Sequence, residues 1–147
     1  MKVYNIFVKE LLMVVQHSTV VAQTSDVGND WFNYINPTTS NQILSAQLWF
    51  NDEVRLYSDV AKGNYLKYVQ PMNHHTRVSL QNIYTYSFAI EPESFEPTGS
   101  ANFSRMRSVR LKLDFPNLDV HPRSVRIYAT SLNVLRVCDN LCCLIFK

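Results

Sequence analysis

Glycine is scarce in this chain: Gly28, Gly63 and Gly99 are the three in 147 residues. That leaves no glycine-rich phosphate loop and no collagen-like repeat. Cysteine is equally scarce, and Cys138, Cys142 and Cys143 all sit near the C-terminus. An odd, clustered set provides no disulfide framework and suits a reducing compartment. An excess of one charge is also missing. The net charge is +2, and the basic residues are spread singly rather than gathered in a run, so nucleic acid is not an expected partner. There is no long apolar run. Val3 to Val15 is interrupted by Lys9 and Glu10, which is too short and too broken to cross a bilayer. No small-residue cleavage site follows it, so it reads poorly as a signal peptide. Repeats, low-complexity segments and linkers are absent, and the length predicts one domain over residues 1–147.

What is present is a set of short alternating segments rich in Tyr, Phe and β-branched residues. The chain is organised around Tyr84 to Met106. Tyr84, Tyr86, Phe88 and Ile90 alternate with Thr85, Ser87 and Ala89, which predicts a strand. Pro92 and Pro97 end regular pairing, because each lacks an N–H. Thr98-Gly99-Ser100 supplies a turn, with Gly99 free to take positive φ. A second strand follows, with Val109, Leu111, Leu113 and Phe115 inward and Arg110, Lys112 and Asp114 outward. The pattern reads as two strands of a one-sided sheet joined by a long ordered loop.

Elsewhere the punctuation is similar. Phe7 to Gln16 fits a short helix or a strand, and periodicity does not decide between them. Asp30 to Tyr34 places Phe32 and Tyr34 on one side and Trp31 on the other. Ile43 to Phe50 is a strand, with Leu44, Ala46, Leu48 and Phe50 on one face, and Asn51-Asp52-Glu53 is a turn. Tyr65 to Val69 reads as a short strand stopped before Pro71. Val125, Ile127 and Ala129 begin another strand, which Val134 to Val137 continues or pairs with. Leu141 to Phe146 forms a last apolar strand. Seven or eight short strands without a long amphipathic helix predict an all-β antiparallel sandwich or barrel. A jelly roll is one such solution.

Chemistry is thin. Adjacent His74 and His75 point to opposite faces if extended, so they read as loop hydrogen bonders ahead of a shared metal site. Cys138, Cys142 and Cys143 lack a fourth ligand at zinc spacing. Glu91, Glu93 and Glu96 read as a solvated acidic loop ahead of a calcium site or a carboxylate pair. Ser104-Arg105 forms no triad motif. Asn102-Phe103-Ser104 is the one glycosylation sequon, since Pro37 spoils Asn36. Tyr84, Tyr86 and Phe88 read as core rather than as a base-stacking platform. No catalytic, cofactor-binding or metal-ligating residue is therefore assigned, and no cofactor is expected.

The residue order carries more. Tyr86-Ser87-Phe88-Ala89, then Pro97-Thr98-Gly99, then Asn102-Phe103-Ser104-Arg105 closely resembles the C-terminal jelly roll of major capsid proteins from nucleocytoplasmic large DNA viruses. Further pieces follow in family order: Val8 to Gln16, Asn29 to Tyr34, Leu48 to Asp52, Val69-Gln70-Pro71 with His74-His75-Thr76, Val125 to Ala129, and Asn133 to Arg136. Two departures stand out. The family's first jelly roll has no counterpart here, and the match starts so close to Met1 that the opening strand of the second is expected to be missing. At the end, Cys142-Cys143 stands where the family has a small turn.

The resemblance implies an antiparallel jelly-roll sandwich and a structural, non-enzymatic protein of an icosahedral capsid, major or a truncated or split form of it. It implies a homotrimer forming a pseudo-hexameric capsomer. It also implies contacts with an N-terminal jelly-roll half and with minor capsid proteins, and assembly in the host cytoplasm. A sandwich lacking a strand leaves an open edge, so the chain is expected to need a partner to complete its sheet. The competing expectation is a lectin-like binding module reading sugars with Trp31, Trp49 and loop polar groups. A jelly-roll metalloenzyme is third.

Overall fold

The structure is a computed structural model, and it describes residues 7–17, 32, 34, 41–116, 122–138 and 141–145. Phe7 to Gln16 is a strand, β1 (Phe7–His17), and of its ten residues from Val8 onward all but Leu12 are buried. A strand covered on both faces needs apolar side chains at successive positions, which explains why its periodicity looks ambiguous. β2 (Ser45–Phe50) and β3 (Glu53–Leu56) form a hairpin. Its two-residue turn holds Asn51 at φ 50° and Asp52 at φ 71°, the left-handed pair that matches strand twist. β4 (Tyr84–Ser87) and β5 (Ala101–Asn102) pair with β1 at successive registers, Met13–Glu10 and then Val8–Phe7. β6 (Val109–Asp114) pairs with β2, and β7 (Arg123–Leu132) pairs with the whole of β1. β8 (Leu135–Cys138) and β9 (Leu141–Leu144) pair with each other.

Among the described residues these strands form two antiparallel sheets and the separate β8–β9 hairpin. Since β7 follows one edge of β1 along its full length, β4 and β5 share the other edge. The second sheet runs β3-β2-β6. Leu11, Met13 and Val15 of β1, with Tyr84 and Tyr86 of β4, face Ala46 and Leu48 of β2 across the core. Val109, Leu111, Leu113 and Phe115 pack against that core, as their alternation predicts. At its centre Phe50, Phe88 and Phe103 meet with ring centroids 5.6–5.9 Å apart, and Tyr86 meets Phe88 edge-on at 5.2 Å. The fold is a jelly-roll sandwich.

Several sequence expectations change. Tyr65–Val69 is a helical turn, not a strand, and leads into α1 (Gln70–His74). The turn is a π-turn, in which the Gln70 N–H donates to the Tyr65 carbonyl. A wider turn gives Pro71 room beside a helix that its ring would otherwise clash with. Leu66, Lys67 and Gln70 are its buried side, a spacing that a five-residue window does not separate from a strand. β4 and β6 fall in different sheets rather than one, because residues 88–100 leave the β1 ladder and the chain crosses the core after β5. Ile90 lies beyond the end of β4 and is exposed, while Ala89 is buried. Leu44 precedes β2 and is likewise exposed, with neighbouring Ile43 buried instead. β8 pairs with β9 and not with β7. Trp31, most of Asp30 to Tyr34, and the turn between Pro116 and Pro122 lie outside the described residues.

Gly63 is fixed by contact. Its N–H donates to the Leu44 carbonyl at 2.9 Å, and a Cβ there would lie 2.1 Å from the Ile43 carbonyl oxygen. Gly99 takes φ +145°, as the sequence expects of a turn glycine.

Candidate assembly surface

Two features of the sandwich carry chemistry beyond core packing. The first is a polar clasp on the outer face of the β1 sheet. Glu10 is buried in β1, and burying a carboxylate requires partners. His75 Nε2 and Glu10 Oε2 lie 2.7 Å apart, and the Thr130 hydroxyl donates to Glu10 Oε1 at 2.9 Å. Next to it, Lys9 Nζ donates to the Ser94 carbonyl at 2.6 Å, and the His74 ring bonds the Ile90 carbonyl at 2.8 Å. The Thr76 N–H donates to Glu93 at 3.0 Å, and this bond holds the Glu93 carboxyl below its ordinary range. Helix α1, residues 88–100 and β7 are thus all tied to β1.

The histidines therefore serve loop hydrogen bonding, as their spacing suggests, and their rings engage different partners. Glu91 and Glu96 are exposed, and Glu93 alone of the three is drawn into this clasp through its carboxylate. The sequence reading takes Lys9 and Glu10 only as interruptions of an apolar stretch, although two charges inside an apolar strand also signal buried partners. Asn102 accepts hydrogen bonds from the Ser104 N–H and hydroxyl, so the sequon asparagine caps its own turn. Among the described residues no group of three or more His, Cys, Asp or Glu side chains converges as a metal site would require. Cys138, Cys142 and Cys143 are exposed on the β8–β9 hairpin, and Cys142 and Cys143 are free thiols.

The second feature is an open side. In the described residues each sheet has three ladder positions: β7, β1 and the β4/β5 line in one, and β6, β2 and β3 in the other. A jelly roll has eight strands in two sheets, so the described residues account for three of the four positions in each. Among the described residues β7 and β6 are the end strands on this side of the two sheets. Between them lies a cleft of about 640 Å³, lined by Leu11, Leu48, Val109, Leu111 and Ile127 and passing over Arg110 and Lys112. Ile127 and Val125 face the core side, as their partners Met13 and Val15 do. Yet they are 38% and 39% exposed, while Met13 and Val15 are buried. Trp49 is half-buried, with the Arg110 guanidinium 5.9 Å from its ring, and belongs to the rim of this cleft.

The fold finds its counterpart in known proteins. The family model of the large eukaryotic DNA virus major capsid protein matches residues 3–143. This chain belongs to that capsid protein family. The major capsid protein of Chrysochromulina ericina virus is 39% identical over 104 residues, covering 69% of this chain and 18% of the relative. That of Phaeocystis pouchetii virus is 38% identical, covering 69% of this chain and 20% of the relative. This capsid-family chain therefore spans about a fifth of the length of these curated relatives. The PBCV-1 virus capsid structure superposes over 99% of this chain and 44% of its own, with a TM-score of 0.73 and 22% identity. The Faustovirus major capsid protein superposes over 85% of this chain and 30% of its own, with a TM-score of 0.62 and 10% identity. These superpositions establish the jelly-roll fold.

Proposed function

We propose that this chain is a structural component of the icosahedral capsid of a large DNA virus, acting without catalysis. The observation that carries the reading is the combination of family membership over residues 3–143 with a capsid jelly roll superposed along the chain. The sandwich core holds the shape, and loops and free sheet edges make contacts between subunits. In the working assembly three double jelly rolls form a pseudo-hexameric capsomer, in which this chain supplies C-terminal jelly-roll strands. An N-terminal jelly-roll half and minor capsid proteins are its neighbours. It is a virion component assembled in the host cytoplasm, where exposed thiols such as Cys142 stay reduced.

The test is the mass of the expressed chain by light scattering after size-exclusion chromatography, alone and with a matching N-terminal jelly roll. A defined trimer, or one that appears once the other half is added, is the expected result. A stable monomer indifferent to the other half overturns the reading. The lectin-like alternative gains no specific support, since Trp49 packs under Arg110 at the rim of an apolar cleft.

A further inference from the structure

The β8–β9 hairpin forms a two-stranded sheet of its own, and two strands alone are marginal in water unless a face is covered. Paired residues share a face, so Arg136 and Cys143 lie on one side with Leu141, while Leu135 and Val137 lie on the other. The Ile145 N–H donates to the Val134 carbonyl at 2.9 Å, which carries the ladder one step further and adds Val134 and Ile145 to the Arg136 side. Val134, Leu141 and Ile145 are exposed there, as is Arg136. That side is an apolar surface with one guanidinium at its middle.

The opposite chemistry stands at the tip of residues 88–100. Phe95 is fully exposed, and exposed Glu91 and Glu96 flank it. One exposed aromatic alone carries no message. This one is held out by a braced loop. Lys9 Nζ donates to the Ser94 carbonyl beside it, and the Glu96 N–H donates to the Ser94 hydroxyl at 3.2 Å. The Glu91 N–H donates to the Thr98 hydroxyl oxygen at 2.9 Å, and that hydroxyl donates back to the Glu91 carbonyl at 3.1 Å. A tip braced in this way meets a partner at little ordering cost. Charge is segregated as well. Residues 84–104 contain glutamates and no Lys or Arg, while β7, β8 and β9 contain arginines and no carboxylate.

We propose that the Phe95 tip of one chain docks on the Arg136 face of the β8–β9 hairpin of a second copy. The inference rests on the capsid reading, which makes neighbouring copies the available partners, and it names the two surfaces that meet. Phe95 covers Leu141, Val134 and Ile145, and its ring takes the Arg136 guanidinium against its face or edge while Glu96 and Glu91 neutralise that cation. The full exposure of Phe95 means that the hairpin of its own chain does not reach it, so the contact runs between copies. Tip and hairpin are different surfaces, so the contact is heterologous. Each copy offers its tip to one neighbour and its hairpin to another, and such contacts close into rings.

The experiment follows the mass of the full 147-residue chain by light scattering across concentration, alone and with the N-terminal jelly-roll half added. The expected result is association that Phe95→Ser and Arg136→Glu each weaken more than tenfold. Both side chains are exposed, and unchanged circular dichroism separates lost docking from lost folding. The two variants are then mixed. The Phe95→Ser chain keeps its hairpin face and the Arg136→Glu chain keeps its tip, so the mixture is expected to form one heterologous contact and stop there. Joining Arg136→Glu with Glu96→Arg in one chain is expected to bring association back at least fivefold. Variants that associate as the unsubstituted chain does, or a mixture no better than either variant alone, overturn the inference and leave the capsid reading standing. An unsubstituted chain that assembles neither alone nor with the other half overturns both.

Discussion

Tyr84 and Ile127 are both inward-facing residues of strands that pair with β1, at neighbouring places in one sheet. Tyr84 is fully buried and Ile127 is 38% exposed. The two strands have the same alternation and opposite surroundings. Around Tyr84 the second sheet, the residue 41–44 segment and the aromatic centre close over the sheet. Around Ile127 nothing among the described residues faces it fully. Alternation therefore encodes which face of a strand is apolar, but not whether that face is covered. The packed side is where burial contributes most to stability, and the exposed side is where it contributes least.

The comparison breaks most sharply at Phe103. It is buried at the meeting point of Phe50 and Phe88. Phe103→Ala is expected to cost about 3–5 kcal/mol, the usual loss for an aromatic core truncation. Chemical denaturation checks it, and a loss below 1 kcal/mol would mean that the aromatic centre is not the stable end. Next comes Tyr84→Phe. The Tyr84 hydroxyl accepts from the N–H groups of Gln42 at 2.7 Å and Ile43 at 3.2 Å. Burial pushes its pKa above the ordinary tyrosine value. Removing the oxygen strands two buried donors, for an expected cost of about 1–3 kcal/mol. Ultraviolet titration of the phenol offers an independent check, since this tyrosine should ionise above the ordinary tyrosine range.

At the open side the expected numbers fall. Ile127→Ala removes side-chain area that is already partly wet, so the isolated chain should lose only about 1 kcal/mol. With a capsid-protein partner bound, the same substitution should cost markedly more. Equal losses with and without partner would remove the distinction between the two regions.

The sequence made the sandwich legible because its strands have one apolar face: β2, β4 and β6 alternate, and their inward residues are where the pattern puts them. The turn at Asn51-Asp52 was legible for a local reason, since these side chains tolerate positive φ. Tyr65–Val69 misled because five residues with aromatic and β-branched ends satisfy a strand pattern, while the helix depends on a distant surface, the Thr85 and Ser87 face of β4. Sheet membership was not legible either. Whether β4 and β6 share a sheet depends on where residues 88–100 lead the chain, which local pattern does not record. The clasp was half legible: Lys9 and Glu10 announce buried charge, but their partners are 65–120 residues away.

The smallest expected effect lies in that clasp, and its sign is informative. Glu93 is exposed, and the Thr76 backbone N–H, followed by a bond from the Thr76 side chain, holds its carboxyl below the ordinary value. A folded-state value below the unfolded one means that the ionised carboxylate favours the fold. That contribution is present above the ordinary glutamate range and is lost as pH falls through the depressed folded value. Glu93→Gln keeps an acceptor but removes the charge. Thermal unfolding of both chains across pH should show the unsubstituted protein slightly more stable at neutral pH, with the gap closing on the acid side. Water and salt screen an exposed charge, so the gap should also shrink at high ionic strength. A gap that stays constant with pH would assign the bond to shape rather than charge. A gap that widens in acid would mean that the carboxylate is not what ties residues 88–100 to the helix.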